Sequence, residues 1–349
     1  MNIFIVIASI VLLIVLHELG HFIFAKKYGV RVDEFGVGIP PRIFGKKIGE
    51  TIYSLNLIPL GGFVKLHGED AAENDERSFS QKPIYQRAII LFAGVAAFFV
   101  VAAIIFALIP YNGITTVVGD DFQSDEAQVM IVSVSSDSPA EEAGIRPGDV
   151  IKEVDGESVS KTGETMDLLN KEEVDLLILR GGKEINLSLL PRVEYPQGDG
   201  PLGIGMLRTV EKRYPLYMAP VQGVVMTAQM TKEVVFGFYT VASSYIMGKE
   251  LPAGMELGGP VKIVKIGSET IDRGFYDYIY FVALISVSLA VINLLPIPAL
   301  DGGRLFFLGI EKIKGSPIPQ KLEQGLNAFF FLALITLMIF ITFKDIQGL

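Results

Sequence analysis

Four long stretches of the chain carry almost no polar residue: 3–24, 88–109, 278–295 and 326–343. Each approaches the roughly 20 apolar residues that cross a bilayer as a helix, so the pattern predicts four transmembrane helices. A fifth apolar stretch, 216–247, carries Lys232 and Glu233 in its middle, which fits amphipathic helices lying on a membrane surface better than a spanning segment. The first stretch has neither a basic leading segment nor a small-residue cleavage site, and therefore reads as a retained helix and not a signal peptide.

Elsewhere the period of the pattern changes. Residues 50–68 alternate in strand fashion around Pro59-Leu60-Gly61-Gly62 and predict a hairpin there. In the middle of the chain an alternating strand, 129–134, precedes a helix start with Ser138 as cap and Pro139 at its first position, stopped by Gly144. A turn at Arg146-Pro147-Gly148-Asp149, a strand at 150–154 and a tight Asp155-Gly156 turn follow. A helix at 165–170, strands at 175–180 and 184–190 around Gly181-Gly182, and a closing strand at 200–206 complete a small β-rich module. Its block "SPAEEAGIRPGDVI", residues 138–151, resembles the bacterial, circularly permuted PDZ domain. That resemblance implies recognition of a peptide or protein segment added to a sheet edge.

Composition agrees with the membrane reading. Half of the 349 residues are hydrophobic and the mean hydropathy is +0.45, well above an ordinary soluble domain. The net charge of −9 excludes a nucleic-acid binder, which needs a basic surface. With no cysteine there is no disulfide framework and no thiolate metal site. Lys26, Lys27 and Arg31 after the first span, Lys82 and Arg87 before the second, and Arg304, Lys312 and Lys314 after the third mark those ends as cytoplasmic. Both termini and the middle segment then fall on the outer side.

Against this background "HELGH", residues 17–21, is conspicuous. Ionisable side chains at membrane depth cost at least about 2.5–3.5 kcal/mol each on insertion scales, so a functional reading is the default. His17 and His21 are four residues apart and share one helix face, where they can ligate one metal ion, and Glu18 is placed to act on water beside it. A catalytic zinc takes three protein ligands, so the third comes from elsewhere in the chain. No Ser-His-Asp arrangement is available, since the only other histidine is His67, which lies among Lys65, Gly68, Glu69 and Asp70 and reads as a solvated loop residue. At the end of the third span "NLLPIPALDGG", residues 293–303, breaks the helix with two prolines. Irregular backbone at that depth is tolerated only where it lines a protein-enclosed cavity.

The order and spacing of "HELGH", "IPLGGFVKL" (58–66), the PDZ-like block, "GGPVKI" (258–263) and "NLLPIPALDGG" resemble the site-2 protease family of intramembrane zinc metalloproteases, in its bacterial PDZ-bearing branch. The resemblance implies a multi-pass α-helical membrane protein with a membrane-associated β region beside the active site and an outer PDZ domain. It implies His17, His21 and Asp301 as zinc ligands, Glu18 as catalytic acid/base and Asn293 as a contact to substrate backbone. The expected organisation is an N-terminal membrane domain (1–110), a PDZ domain (114–210), an amphipathic linker region (211–274) and a C-terminal membrane domain (275–349). The expected setting is the bacterial cytoplasmic membrane, with single-span membrane proteins such as anti-sigma factors or signal-peptide remnants as substrates. A catalytically silent PDZ-bearing adaptor and a metal-dependent transporter are the alternatives, the second disfavoured because no repeated pair of broken helices is present.

Overall fold

The computed structural model describes residues 1–69, 75–109, 114–124, 126–195, 200–212, 215–248 and 258–347. In chain order the elements are α1 (Asn2–Lys27), β1 (Val32–Ile48), β2 (Thr51–Leu66), α2 (Ile84–Leu108), β3 (Ile114–Val117), β4 (Gln128–Val134), α3 (Pro139–Glu142), β5 (Val150–Val154) and β6 (Glu157–Ser158). They continue with α4 (Thr162–Leu168), β7 (Val174–Arg180), β8 (Lys183–Leu189), β9 (Ile204–Lys212), α5 (Ala219–Met247), α6 (Pro260–Arg273), α7 (Phe275–Leu294), α8 (Asp301–Lys314) and α9 (Gln320–Gln347). Two compact units result: Met1–Leu108 with Pro220–Leu349, and Ile109–Ala219.

In the larger unit, α1, α2, α7 and α9 are long and apolar enough to cross a membrane, matching the four stretches read from the sequence. The fifth stretch forms one continuous helix, α5, instead of several, and it is not among those four. Lipid is as apolar as leucine, so close packing and hydrogen bonds hold such helices together. Accordingly, α1 and α2 meet where a Cβ on Gly20 would lie 2.4 Å from the Ala93 carbonyl oxygen. Ser286 of α7 donates its hydroxyl hydrogen to the Phe98 carbonyl at 2.8 Å, beside a cluster of Leu13, Val95, Phe98 and Ala290. The N-terminus of α6 is satisfied by Asp345 of α9, which accepts from the Gly259 and Lys262 amides at 3.1 and 3.0 Å.

β1 and β2 pair in three ladders. Residues 42–48 run antiparallel to 51–56, residues 34–37 lie beside 52–55 with numbers rising together, and residues 62–66 run antiparallel to 32–37. The order across the sheet is therefore 42–48, 51–56, 34–37, 62–66. This corrects the hairpin expected around Pro59-Leu60-Gly61-Gly62: its two arms do not pair with each other, because 34–37 lies between them. The tight turn falls instead at Gly49-Glu50, between Ile48 and Thr51. Alternation reports that a segment is a strand and which face it buries, but not which strand it joins.

His67 is also placed differently from expectation. Its ring lies between Asp33 Oδ2 and Asp75 Oδ2, 3.4 Å from each, and its side chain is 12% exposed. Backbone bonds from His67 N to Arg31 O and from Phe79 N to His67 O tie it to both neighbouring segments, so it sits between two carboxylates and not in open solvent.

After α7 the chain turns at residues 295–300 and re-enters a helix at Asp301. Gly302 and Gly303 have no positive φ, so no left-handed turn requires them. A Cβ on either would lie about 2.3 Å from the carbonyl oxygen of Leu295 or Ile297. Their role is to let the preceding loop press against the first turn of α8.

The smaller unit is one sheet in the order β3-β9-β4-β5-β7-β8, with β6 on β5. Val129, Ile131, Ile151, Leu176 and Ile178 alternate inward and are buried in its core, each burial contributing about 1.5–3 kcal/mol. Ser138 caps α3 as expected, accepting from Glu141 N at 3.2 Å. Asp155-Gly156 and Gly181-Gly182 have positive φ at both positions, the conformation of a two-residue hairpin turn. Two expectations shift. The closing strand runs Ile204–Lys212, because residues 200–203 form the turn before it, with Gly203 N bonded to Gly200 O. α4 begins at Thr162 and not at 165, because Asp120 accepts from the Thr162 and Gly163 amides. That cap comes from 42 residues away, beyond any local pattern.

Candidate metal centre

α1 carries His17 and His21 one turn apart, 7% and 5% exposed. Their Nε2 atoms lie 3.2 Å from each other, and Asp301 Oδ2, from the first residue of α8, lies 3.2 Å from one and 3.3 Å from the other. These three residues form the one group among the described residues whose atoms converge as a metal site would require. The elements around them fix the rings. His21 Nδ1–H donates to the Ile90 carbonyl at 2.9 Å, which leaves the Nε2 lone pair facing Asp301. His17 stacks on Phe98, with ring centroids 4.6 Å apart and planes 19° from parallel. A Cβ on Gly94 would lie 2.2 Å from His21 Nε2, so α2 makes room for the imidazole only because that residue is glycine.

Whether this cluster fits zinc can be tested on its own dimensions. Zinc–nitrogen and zinc–oxygen distances of about 2.0–2.1 Å put tetrahedral ligand atoms roughly 3.3 Å apart. The observed 3.2–3.3 Å separations match that edge. Asp301 Oδ2 is moreover buried without a hydrogen-bond partner among the described residues, a costly placement for a carboxylate oxygen that a cation relieves. The donor set of two imidazoles and a carboxylate is a known catalytic zinc set.

Glu18 lines the same pocket, a cleft of about 500 Å³, with Phe63, Val64, Lys65 and Leu66 of β2 forming one wall. Gly62 brings that strand close to α1: a Cβ there would contact the Glu18 and Val15 side chains at 3.5 Å. Among the described residues, 62–66 pairs on one side only, with 32–37. Asn293 is not in this lining. Its amide donates to the Leu289 carbonyl at 2.9 Å, within α7. Sequence reasoning missed Ile90, Gly94 and Phe98, which orient the imidazoles, and Glu69 and Arg304, which also line the pocket. The pair Ala93-Gly94 inside an apolar span was the available signal, since small residues there mark close helix approach.

A sequence model of peptidase family M50 matches residues 5–337. A provisionally named zinc metalloprotease of Clostridium perfringens is 35% identical over 337 residues, covering 96% of this chain and 95% of the relative. Zinc metalloprotease RasP of Oceanobacillus iheyensis is 28% identical, covering 97% and 96%. Among solved structures, the PDZ domain of an SdrC-like protein from Listeria innocua matches 23% of this chain and 92% of its own, at 28% identity and a TM-score of 0.21. The family match runs through the helix of His17 and His21 and the helix of Asp301 alike: the chain belongs to peptidase family M50, and is a zinc-dependent membrane metallopeptidase.

Proposed function

We propose that His17, His21 and Asp301 hold the zinc ion, that Glu18 is the catalytic acid/base, and that the substrates are single-span membrane proteins cut within or near their transmembrane segments. The observation that carries this reading is the convergence of three ligand atoms within 3.3 Å of one another, in a pocket that also holds Glu18. Bound zinc supplies Lewis acidity toward a carbonyl and toward water. The residues do the rest: Glu18 takes a proton from the attacking water and returns it to the leaving amine. No covalent acyl intermediate is needed.

A helical substrate has its carbonyls locked in backbone hydrogen bonds and must unwind before attack. The one-sided pairing of 62–66, along the pocket wall, supports this strand edge as the place where an extended substrate segment adds. Asn293 is the proposed contact to substrate backbone, which requires its amide to exchange the Leu289 carbonyl for substrate. Residues 114–210 are proposed to be a PDZ domain, supported by the 138–151 motif and the antiparallel sheet with its capped short helices. The basic residues at the cytoplasmic ends of the spans support both termini and this module on the outer face of a bacterial cytoplasmic membrane. Anti-sigma factors and signal-peptide remnants, already trimmed on the outer side, are the proposed substrate classes.

Incubating detergent-purified protein with a single-span substrate, with and without a chelator, separates the possibilities. Cleavage that stops with chelator and returns with zinc is expected. Substrate binding without cleavage in zinc-replete protein would instead identify a silent adaptor.

A further inference from the structure

Arg304 lies three residues after Asp301 on α8, which puts the two side chains one helical turn apart on neighbouring faces. Its Nη1–H donates to Glu69 Oε1, just beyond strand segment 62–66. Both side chains line the pocket that holds Glu18 and Asp301, and both also line a second cavity of about 470 Å³. They thus form part of the partition between the two. Of the cations on the pocket wall, Lys65 is exposed, whereas the Arg304 side chain is 32% exposed and held by a carboxylate that is itself only 14% exposed. That anchor holds the planar fork of Arg304 at a fixed angle on the pocket wall.

We propose that Arg304 is a further catalytic residue of the hydrolysis, its guanidinium hydrogen-bonding the scissile carbonyl oxygen and then the carboxylate that replaces it, with Glu69 as its positioning residue. The inference rests on the assignment of Glu18 and the ligand cluster made above. In the reaction, the water oxygen bonds to the carbonyl carbon and the carbon–nitrogen bond breaks. Both water protons end on the leaving nitrogen, which departs as ammonium, and the acyl fragment departs as carboxylate. Negative charge therefore builds on the carbonyl oxygen and remains in the product. A guanidinium presents five N–H donors in a geometry that matches a carboxylate edge on, and it strengthens its bonds as that charge grows.

The test uses full-length, zinc-loaded protein. Arg304→Ala is expected to lower kcat about a hundredfold, the scale of a lost oxyanion donor, while zinc content stays at one per chain and KM moves by less than about threefold. Guanidinium at sub-denaturing concentration should restore part of the rate, and the N-terminal product peptide should inhibit the variant more weakly than wild type. Glu69→Gln should fall between, and Lys312→Ala, a cation of the same helix outside the pocket lining, should match wild type. A zinc-replete Arg304→Ala within threefold of the wild-type kcat would overturn the proposal. So would a variant that loses zinc, or whose rate guanidinium does not raise, because either result makes Arg304 a structural residue. Failure of zinc-loaded wild type to cleave any single-span substrate would strike the protease reading itself and is visible before any variant is compared.

Discussion

Nε2 of His17, Nε2 of His21 and Oδ2 of Asp301, 3.2–3.3 Å apart, have the spacing of atoms that share one tetrahedral zinc ion. At the residue scale this makes Asp301 the decisive third partner. Asp301→Ala is expected to remove most bound zinc and all activity. His67, held between Asp33 and Asp75, should leave both within about twofold when changed to Ala, as befits a residue outside the metal's supporting shell. Metal analysis of the two purified variants checks this, and a zinc-replete Asp301→Ala beside a zinc-free His67→Ala would reverse the assignment. Gly94 gives a second test. An added methyl would lie 2.2 Å from His21 Nε2, and overpacking of this kind costs about 1–3 kcal/mol. Gly94→Ala should therefore lose zinc to a chelator at roughly tenfold lower chelator concentration, with the helix content by circular dichroism unchanged. That His17 and His21 share one face, with Glu18 beside them, was legible from their helical spacing alone. Asp301 was legible only through resemblance, since nothing local says where a loop 280 residues downstream will fold. Glycines such as Gly94 act by what they lack, and a single sequence shows no trace of the imidazole they admit.

Elements followed the sequence wherever a local signal decided them. The four apolar stretches became α1, α2, α7 and α9, and Asp155-Gly156 and Gly181-Gly182 became the turns their residue types favour. Where a distant residue decided, the reading slipped. Asp120 moved the start of α4, and residues 34–37 entered between the arms of the expected hairpin. The Asp120 cap carries a pH prediction. The Gly163 amide, above all, holds its carboxyl below the usual carboxylate value, with the Thr162 amide and hydroxyl adding to the effect. A depressed folded value means that the stabilisation is fully present above the ordinary Asp value near 3.9 and is lost as pH falls through the lower, folded one. Asp120→Ala should accordingly destabilise the smaller unit by about 1 kcal/mol at neutral pH, the scale of a lost helix cap. Hydrogen exchange in β4 and β5 reads this out, and the difference from wild type should shrink below about pH 4. A difference that grew on acidification would contradict the assignment.

At the scale of the whole molecule, the proposed catalytic site and the proposed recognition module fall in separate compact units. The cluster of His17, His21 and Asp301, with Glu18 and the strand edge at 62–66, belongs to the larger one, and the sheet proposed to be a PDZ domain to the smaller. If the smaller unit excludes substrates by size, deleting residues 115–208 should leave cleavage of a short, pre-trimmed substrate intact and admit one with a bulky outer domain. Loss of both cleavages in protein that still binds zinc would make the unit part of the catalytic assembly. The division itself was legible as a change of period, from long apolar runs to short alternating strands, whereas substrate identity left no mark in that pattern. The most direct measurement is the zinc content and turnover of purified Glu18→Gln on a single-span substrate. The ligands stay and only the acid/base is lost, so wild-type zinc occupancy with cleavage abolished is expected; turnover at a tenth of wild type or better in zinc-loaded Glu18→Gln would contradict the assigned chemistry.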